Sequence, residues 1–268
     1  MRCAVVGHVE WIDFVRVERV TEPGEIVTAL EGWSEAAGGG AVAAAEFVRL
    51  GAETTFFTAL GDDELGVRAE LALRSLDLRL EVVTRDRPQR RGFTFLDDGG
   101  ERTITVIGEK LVPHGGDPLA WKELAAADAV YFCGGDPDAL RLARRARALV
   151  ATARELPTLA AAGVELDGLV HSHRDPSERY RPGDLDPAPK LVATTEGSAG
   201  GRFTADGYEG RWGPAPLPGP LKDVYGAGDC FAAGLAYALG EGRPAEDALR
   251  FAAERAAAAM TRAGHDRL

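Results

Sequence analysis

A glycine-rich loop that leads into an aspartate is the stretch of this chain best suited to chemistry. The loop reads Gly226-Ala227-Gly228-Asp229, and the apolar run from Phe231 to Leu239 behind it predicts a helix. Glycines let backbone N–H groups converge on an oxyanion, and a helix N-terminus adds positive partial charge. Asp229 at this junction is suited to take a proton from a hydroxyl while the loop stabilises the developing charge. An ordinary glycine turn in which Asp229 caps the helix explains the same residues.

The elements that must position this loop alternate between short apolar runs and longer Ala- and Leu-rich segments. Such alternation predicts an α/β fold with a mostly parallel sheet. The predicted strands are Arg2–Val6, Thr54–Thr58, Ala129–Cys133, Thr158–Ala161, Gly168–Val170 and Leu191–Thr195. The predicted helices are Gly40–Leu50, Glu64–Ser75, Ala139–Arg154, Gly228–Leu239 and Ala245–Thr261.

Two stretches depart from this pattern. Phe14–Thr28 and Gly92–Val106 alternate like antiparallel strands, the second with a predicted turn at Asp97-Asp98-Gly99-Gly100. Ribbons that project from an α/β body can form a lid over a ligand crevice. Edge strands of the main sheet are the alternative interpretation.

Composition and charge narrow the class of protein. The chain has 268 residues, of which 45% are hydrophobic and 27% charged, as in ordinary soluble globular proteins. A net charge of −11 argues against a nucleic-acid backbone or an anionic membrane as the main partner. The three cysteines form no CxxC pair, and no apolar run reaches membrane-spanning length. We expect a cytoplasmic protein that contacts neither nucleic acid nor membrane.

Further motifs occur upstream of the opening loop. A triple glycine, Gly38-Gly39-Gly40-Ala41, precedes a predicted helix of small residues that ends at Leu50-Gly51-Ala52. An acidic motif follows, which reads Gly61-Asp62-Asp63-Glu64-Leu65-Gly66. Pro23-Gly24-Glu25 and the loop from Thr195 to Gly200 complete the series. With the downstream Gly-Ala-Gly-Asp loop, this order of motifs resembles the ribokinase-like carbohydrate kinases, or PfkB-type sugar kinases.

The resemblance implies a fold and a reaction. Family members have a three-layer αβα sandwich with a mostly parallel central sheet and a small β-sheet lid. For this chain it implies a single domain over residues 1–268, with lid strands from about 10–32 and 90–108. Members transfer the γ-phosphoryl group of ATP, with Mg²⁺, to an alcohol of a small sugar or sugar-like substrate. Lid strands often pair between subunits in the family, so a homodimer is a further expectation.

Site roles follow from the resemblance residue by residue. Asp229 is the expected general base, and the amides of Ala227, Gly228 and Asp229, after the turn at Gly226, are the expected anion hole. Asp223 is expected to hold this loop and, in potassium-activated members, to contribute to the cation site. The residues expected to line the ATP site are Thr195, Gly197 and Gly200. Because the chain ends at Leu268, soon after Arg262 and Gly264, potassium activation is doubtful.

The substrate side departs from the family pattern. Gly38, Gly39 and Gly40 are expected to let a sugar approach the backbone, but Val42 stands where members usually carry a sugar-binding Asn. Ile12 falls where the substrate-binding Asp is expected, so either Glu10 or Asp13 is the candidate for hydroxyl binding. Arg90 and Arg91, before the second lid strand, are interpreted as exposed lid charges, with an approach to the substrate as the alternative.

The family's NxxE segment, which supports magnesium and phosphate, is also altered. Ser172 replaces its Asn and Asp175 takes the acidic position, with Glu178 as a second choice. The sequence therefore leaves three functions open: a sugar kinase, a nucleoside kinase, and a degenerate family member that binds a sugar or nucleotide without catalysis.

Overall fold

The computed structural model describes residues 1–97, 99 and 102–262, which form two β-sheets with helices around them. The strands are β1 Arg2–Val6, β2 Glu10–Arg16, β3 Glu31–Ala37, β4 Glu53–Gly61, β5 Arg79–Arg85, β6 Arg91–Leu96, β7 Arg102–Ile107, β8 Ala129–Phe132, β9 Ala148–Thr152, β10 Gly168–Ser172, β11 Leu191–Thr195, β12 Gly201–Ala205 and β13 Tyr208–Trp212. The helices are α1 Gly39–Arg49, α2 Glu64–Arg74, α3 Pro137–Ala143, α4 Leu156–Ala162, α5 Ala227–Gly240 and α6 Ala245–Ala259. Within this part of the chain, no helix combines the length and the apolar character needed to cross a membrane.

The large sheet has nine strands in the order β13-β12-β11-β10-β9-β8-β1-β4-β5. Neighbours from β11 to β5 are parallel, and β12 and β13 add an antiparallel edge. In β1, Cys3 and Val5 join an apolar cluster with α1, α5 and α6, whereas Ala4 and Val6 join a second cluster with α3 and α4. Because side chains alternate between the faces of a strand, helices cover both faces. The predicted three-layer αβα fold is confirmed.

The small sheet has the order β3-β2-β6-β7 and contains the predicted lid strands. β2 pairs antiparallel with β3 and parallel with β6, so these strands are not edge strands of the large sheet. The strand predicted over Phe14–Thr28 ends at Arg16, and its partner spans Glu31–Ala37, beyond the expected boundary at residue 32. The intervening segment contains Pro23, which cannot donate a ladder hydrogen bond. Residues 98 and 100 of the predicted turn lie outside the described residues.

One predicted helix and one predicted strand are wrong. Ala139–Arg154 is not a single helix, because α3 ends at Ala143 and is followed by β9, in which every residue is buried. Thr158–Ala161 is not a strand but lies inside α4, which ends at Gly163 in a left-handed conformation. A short apolar run suits a buried strand and a buried helix equally well, so the pattern could not separate these two elements. The sequence did not predict the edge strands β5 and β13 or the strand β12 that pairs with β13.

The motif that runs from Gly61 to Gly66 anchors the lid to the main body. The Asp63 carboxylate accepts the N–H of Gly66 at 2.9 Å, which caps α2, and the N–H of Gln89 at 3.1 Å. The buried Gln89 side chain accepts the Gly61 N–H at 3.0 Å and donates to the carbonyl of Val9 at 2.8 Å. A Cβ on Gly61 would lie 2.4 Å from the Gln89 nitrogen, so this approach requires glycine. The chain just before β6 is thereby fixed against the segment between β1 and β2.

Candidate active site

The predicted loop ends in a turn that depends on glycine. Gly226 has a φ of 75°, and its carbonyl accepts the N–H of Cys230 at 2.9 Å. A Cβ on Gly226 would lie 2.8 Å from Cγ1 of Val42, so both conformation and packing require glycine. A Cβ on Gly228 would meet no atom within 4 Å. The loop therefore combines a tight turn with open space beside the N-terminus of α5, where anions are favoured. Ala227 is the first residue of α5, and its N–H, predicted as part of the anion hole, donates to the Val224 carbonyl at 3.4 Å.

The Asp229 carboxylate, in the first turn of α5, is partly buried between elements far apart in sequence. The Tyr131 hydroxyl on β8 donates to Oδ1 at 3.2 Å, and a Cβ built on Gly39 would lie 2.6 Å from the same oxygen. Burial raises the pKa of Asp229, whereas the Tyr131 hydrogen bond and nearby cations lower it. These cations are Arg154, Arg102 and Lys110. A carboxyl group with a raised pKa is suited to accept a proton from a bound hydroxyl.

The predicted triple glycine lies at the start of α1, with Gly38 just before the helix and Gly39 and Gly40 as its first two residues. Gly38 has a φ of 89°, and its N–H donates to the Tyr225 hydroxyl at 3.1 Å. A Cβ on Gly38 would lie 3.1 Å from the Glu10 nitrogen, and one on Gly40 would lie 2.6 Å from the His8 carbonyl oxygen. The structure therefore brings Gly39 against Asp229, while Gly38 and Gly40 pack on the backbone of Glu10 and His8.

Glu10 and Asp13 lie on opposite faces of β2. Glu10 is buried, and its carboxylate contacts the Arg90 guanidinium at 2.9 Å. Burial raises the pKa of Glu10, and the Asp229 charge adds to this effect, while Arg90 opposes it. The Asp13 carboxylate instead contacts Arg91 at 3.2 Å and accepts a hydrogen bond from Ser34. Of the two candidates, Glu10 is therefore the one that faces Asp229.

Several polar residues at this centre were missed or misjudged from the sequence. The Arg90 side chain is only 19% exposed, so its interpretation as an exposed lid charge is wrong. Lys110 contacts the Glu155 carboxylate and donates to the Cys133 carbonyl at 3.1 Å. Arg154 and Glu155 lie in the short 3₁₀ turn that follows β9, and the carboxyl ends of parallel strands are where α/β proteins bind ligands. The incorrect helix over Ala139–Arg154 concealed that signal.

Tyr225 connects the loop to the lid. The buried Asp223 carboxylate accepts the Tyr225 N–H at 2.9 Å and closes the turn ahead of Gly226. The Tyr225 ring lies edge-on to Phe14 of β2, with 5.0 Å between ring centroids. Arg102 of β7 donates to the Val224 carbonyl at 2.5 Å and covers the Tyr225 ring. The lid therefore packs directly on the loop that carries Asp229.

The expected nucleotide loop lies at the ends of neighbouring strands. Thr195 ends β11, and Gly197 and Gly200, with φ of 65° and 82°, lie in the turn to β12. A Cβ on Gly200 would lie 2.3 Å from the Trp212 carbonyl oxygen, so this turn also requires glycine. Ser172 is the strand partner of Thr195. The altered NxxE segment and the nucleotide loop are thus adjacent.

Asp175 and Glu178 bind the same arginine. Arg154 contacts Asp175 at 2.6 Å and Glu178 at 2.7 Å, and the Glu178 carboxylate also accepts the Ser172 N–H at 2.7 Å. Burial raises the pKa of Glu178, Arg154 lowers it, and the Asp229 charge also raises it. Glu178, the second choice from the sequence, is therefore the acidic residue that is electrostatically coupled to Asp229. Asp175 caps the short 3₁₀ turn that follows.

A cavity of about 400 Å³ lies elsewhere, between the β12–β13 hairpin and α6. Trp212, Arg211, Arg250 and Glu254 line it, and the predicted site residues do not. The candidate site is therefore identified by the polar groups that converge under the lid. Over the described ranges, no group of three or more His, Cys, Asp or Glu side chains is arranged to hold a metal ion.

Comparisons with known proteins agree with this fold. A relative from Halopiger xanaduensis, an ATP-dependent ribose-1-phosphate kinase, is 28% identical over 257 residues, 88% of this chain and 83% of that protein. The structure of Arabidopsis thaliana ribokinase complexed with ribose and ATP matches with a TM-score of 0.71 and 22% identity, over 98% of this chain and 93% of that one. The crystal structure of adenosine kinase from Sinorhizobium meliloti matches with a TM-score of 0.77 and 19% identity, over 97% of this chain and 94% of that one. At these identities the two structures establish the fold alone.

The family assignment rests on a match that spans nearly the whole chain. The family model described as pfkB family carbohydrate kinase matches residues 1–176 and 165–267. These ranges include the glycines before α1, the Thr195 loop and the Asp229 loop. The chain belongs to the pfkB family of carbohydrate kinases and is a phosphotransferase that uses an alcohol group as acceptor.

Proposed function

We propose that this protein transfers the γ-phosphoryl group of ATP to a hydroxyl of a sugar or sugar-like acceptor, with Asp229 as the general base. The observation that carries the proposal is the contact of the Asp229 carboxylate with Gly39, at the meeting point of the N-termini of α1 and α5. A proton acceptor, a close backbone approach at Gly39 and two helix N-termini, where anions are favoured, thus converge at one place.

In the proposed reaction, the acceptor hydroxyl gives its proton to Asp229 while its oxygen bonds to the γ-phosphorus. The bond from that phosphorus to the bridging oxygen breaks, and ADP leaves. The open space beside Gly228 suits the transferring group, because the first N–H groups of a helix have no carbonyl partner within it. Arg102 and Arg154, whose charges act on Asp229, can also stabilise negative charge there.

The nucleotide is proposed to lie along Thr195, Gly197 and Gly200, where positive φ angles allow close backbone approach. Mg²⁺ would be held mainly by the nucleotide phosphates, because Arg154 already binds both Asp175 and Glu178. Glu178, through its burial and its coupling to Asp229, is the better placed of these two carboxylates to support it. A potassium requirement stays a doubtful prediction, since residues 263–268 lie outside the described part of the chain.

Two observations bear on the acceptor. The Halopiger relative is named for a sugar phosphate, and Arg90 and Lys110 place two cations near Glu10, on the acceptor side of the site. We therefore rank ribose-1-phosphate and similar sugar phosphates first, before free sugars and nucleosides. A non-catalytic binding protein is the alternative from another class, suggested by Val42 and Ser172 at the altered positions.

The test is ADP release with ATP and Mg²⁺ across sugar phosphates, free sugars, sugar acids and nucleosides. We expect turnover with at least one acceptor, and Asp229→Asn should lower kcat by about 10²- to 10⁴-fold while ATP binding is retained. Asp247→Asn, a similar change on the exposed face of α6, is the matched control. ATP binding without turnover on any acceptor, or unchanged kcat in Asp229→Asn, would contradict the proposal.

A further inference from the structure

Tyr131 is a buried tyrosine whose hydroxyl reaches the proposed base. It lies on β8 with its ring in the apolar core between the large sheet and α5, and its exposed fraction is 2%. Its only polar atom donates to Oδ1 of Asp229 at 3.2 Å. We propose that Tyr131 is a positioning residue for phosphoryl transfer, which holds Oδ1 so that Oδ2 faces the acceptor hydroxyl. This inference rests on the proposed function of Asp229.

The two carboxylate oxygens of Asp229 have different surroundings. A Cβ on Gly39 would lie 2.6 Å from Oδ1 but 3.6 Å from Oδ2. Oδ1 is therefore enclosed by the Gly39 backbone on one side and the Tyr131 hydroxyl on another. Oδ2 lies farther from Gly39, which leaves it as the oxygen that can accept a proton. A rotation of the carboxylate about its Cβ–Cγ bond would break the contact with Tyr131.

Tyr131 also acts on the charge of the base. Burial raises the pKa of the Tyr131 phenol well above its usual value, and the Asp229 charge raises it further. The phenol therefore stays protonated and remains a donor, and its hydrogen bond lowers the pKa of Asp229 against the effect of burial. The charged and titratable groups that interact with this pair are Glu10 from β2, Arg102 from β7, Lys110 from the segment after β7, Cys133 after β8, Arg154 after β9, Glu178 after β10, Tyr225 before α5 and Cys230 in α5.

A purely structural role for Tyr131 makes a different prediction. If the hydroxyl only satisfies its own burial, its removal changes thermal stability and leaves the ionisation of Asp229 unchanged. If it positions the base, its removal raises the pKa of Asp229 further, because the charged form loses a donor. The pH dependence therefore separates the two roles.

The test compares Tyr131→Phe with the wild-type protein from pH 5 to pH 9. The matched control is Tyr237→Phe, the same change at a tyrosine near the C-terminal end of α5. For Tyr131→Phe we expect the acid limb of the kcat profile to move to higher pH and kcat at pH 7 to fall about 10-fold or more. The KM for ATP should change little, since the phenol is not part of the expected nucleotide loop. A profile that superimposes on wild type would overturn the inference, even if the melting temperature falls.

A second measurement does not depend on activity. The quantity measured is the change in melting temperature that Asp229→Asn causes, as a function of pH. It is measured once in the wild-type protein and once in the Tyr131→Phe variant. We expect this difference to keep growing to higher pH with Tyr131→Phe, because the folded-state pKa of Asp229 is then higher. Equal pH dependence in the two backgrounds would refute the role of Tyr131. Absence of turnover in wild type would count against the proposed function instead.

Discussion

The backbone of Gly39 lies against the side chain of Asp229. A Cβ at position 39 would stand 2.6 Å from Oδ1 and 3.3 Å from Cγ of that carboxylate. Gly39 is the first residue of α1, and Asp229 lies in the first turn of α5, so two helix N-termini meet at one carboxylate. Both helix dipoles favour the charged form there, while burial opposes it.

Gly39→Ala tests this contact. We expect it to lower the free energy of unfolding by about 1–3 kcal/mol, because overpacking forces the carboxylate or the helix start to move. In an Asp229→Ala background the clash is removed, so the same substitution should cost less, with a coupling of about 0.5–3 kcal/mol. Denaturant melts of the four proteins measure that coupling. An identical cost in both backgrounds would show that the carboxylate is not the obstacle.

Gly228→Ala is expected to affect the reaction without affecting the stability of the fold. Its Cβ enters open space and the residue lies in a helix, so the melting temperature should not fall and can rise, since alanine is the better helix former. If the transferring phosphoryl group occupies that space, turnover should drop by at least about 10-fold.

Gly116→Ala is the matched control for this change, because a Cβ there also meets no atom within 4 Å and the residue lies outside the candidate site. It should retain both stability and activity. Full activity in Gly228→Ala would place the phosphoryl group somewhere else.

Glu10→Gln and Asp13→Asn form a matched pair. Each replaces a carboxylate on β2 that contacts an arginine: Glu10 contacts Arg90, just before β6, and Asp13 contacts Arg91, the first residue of β6. Only Glu10 faces Asp229, so Glu10→Gln should lower kcat/KM for the acceptor by about 10- to 100-fold, the value of a hydrogen bond to a charged group. Asp13→Asn should change it by less than about 2-fold. Steady-state kinetics at saturating ATP give kcat/KM for the acceptor in both variants. A larger loss in Asp13→Asn than in Glu10→Gln would assign acceptor binding to Asp13.

Asp229→Asn should stabilise the protein in a pH-dependent way. Burial raises the folded-state pKa of Asp229 above its unfolded value of about 3.9. The stability that this group contributes is therefore fully present below the unfolded pKa and is lost as pH rises through the folded pKa. Asparagine stays neutral, so the variant should melt like wild type near pH 4 and higher than wild type near pH 8.

Each kcal/mol of that difference corresponds to roughly 2–4 °C in melting temperature. Thermal melts at several pH values give the result, with Asp247→Asn as the control for loss of one carboxylate from the surface. A melting difference that is independent of pH would mean that Asp229 ionises with an ordinary pKa in the folded protein.

Much of the site could be predicted locally. The Gly226–Asp229 loop and the Gly38–Gly40 loop are short, and the requirement for glycine in such turns can be inferred from the residues themselves. The choice between Glu10 and Asp13 could not be made in this way. It depends on which face of β2 packs on the main body, where Ile12 and Phe14 join Val42 and Tyr225 in one apolar cluster.

Arg154 and Tyr131 show a second limit. Arg154 follows β9, a short apolar run whose periodicity does not distinguish a buried strand from a buried helix, whereas Tyr131 lies on β8, which is predicted correctly as a strand. Once β9 is recognised as a parallel strand, its carboxyl end predicts a place in the site for the residues that follow it. The phenol of Tyr131 could be assigned only after α5 was placed on the sheet, since nothing in its own sequence context indicates a carboxylate partner.

The amino-acid sequence by itself determined the family, the α/β architecture and the loop with Asp229, because these depend on local glycine geometry, apolar patterning and the order of motifs. Only the tertiary structure decided which groups surround that carboxylate. Gly39, Tyr131, Glu10 and Arg154 come from separate elements, and their approach follows from the parallel sheet and the closed lid. Burial and charge at Asp229 are sums over all these neighbours, so they exist only once the chain has folded.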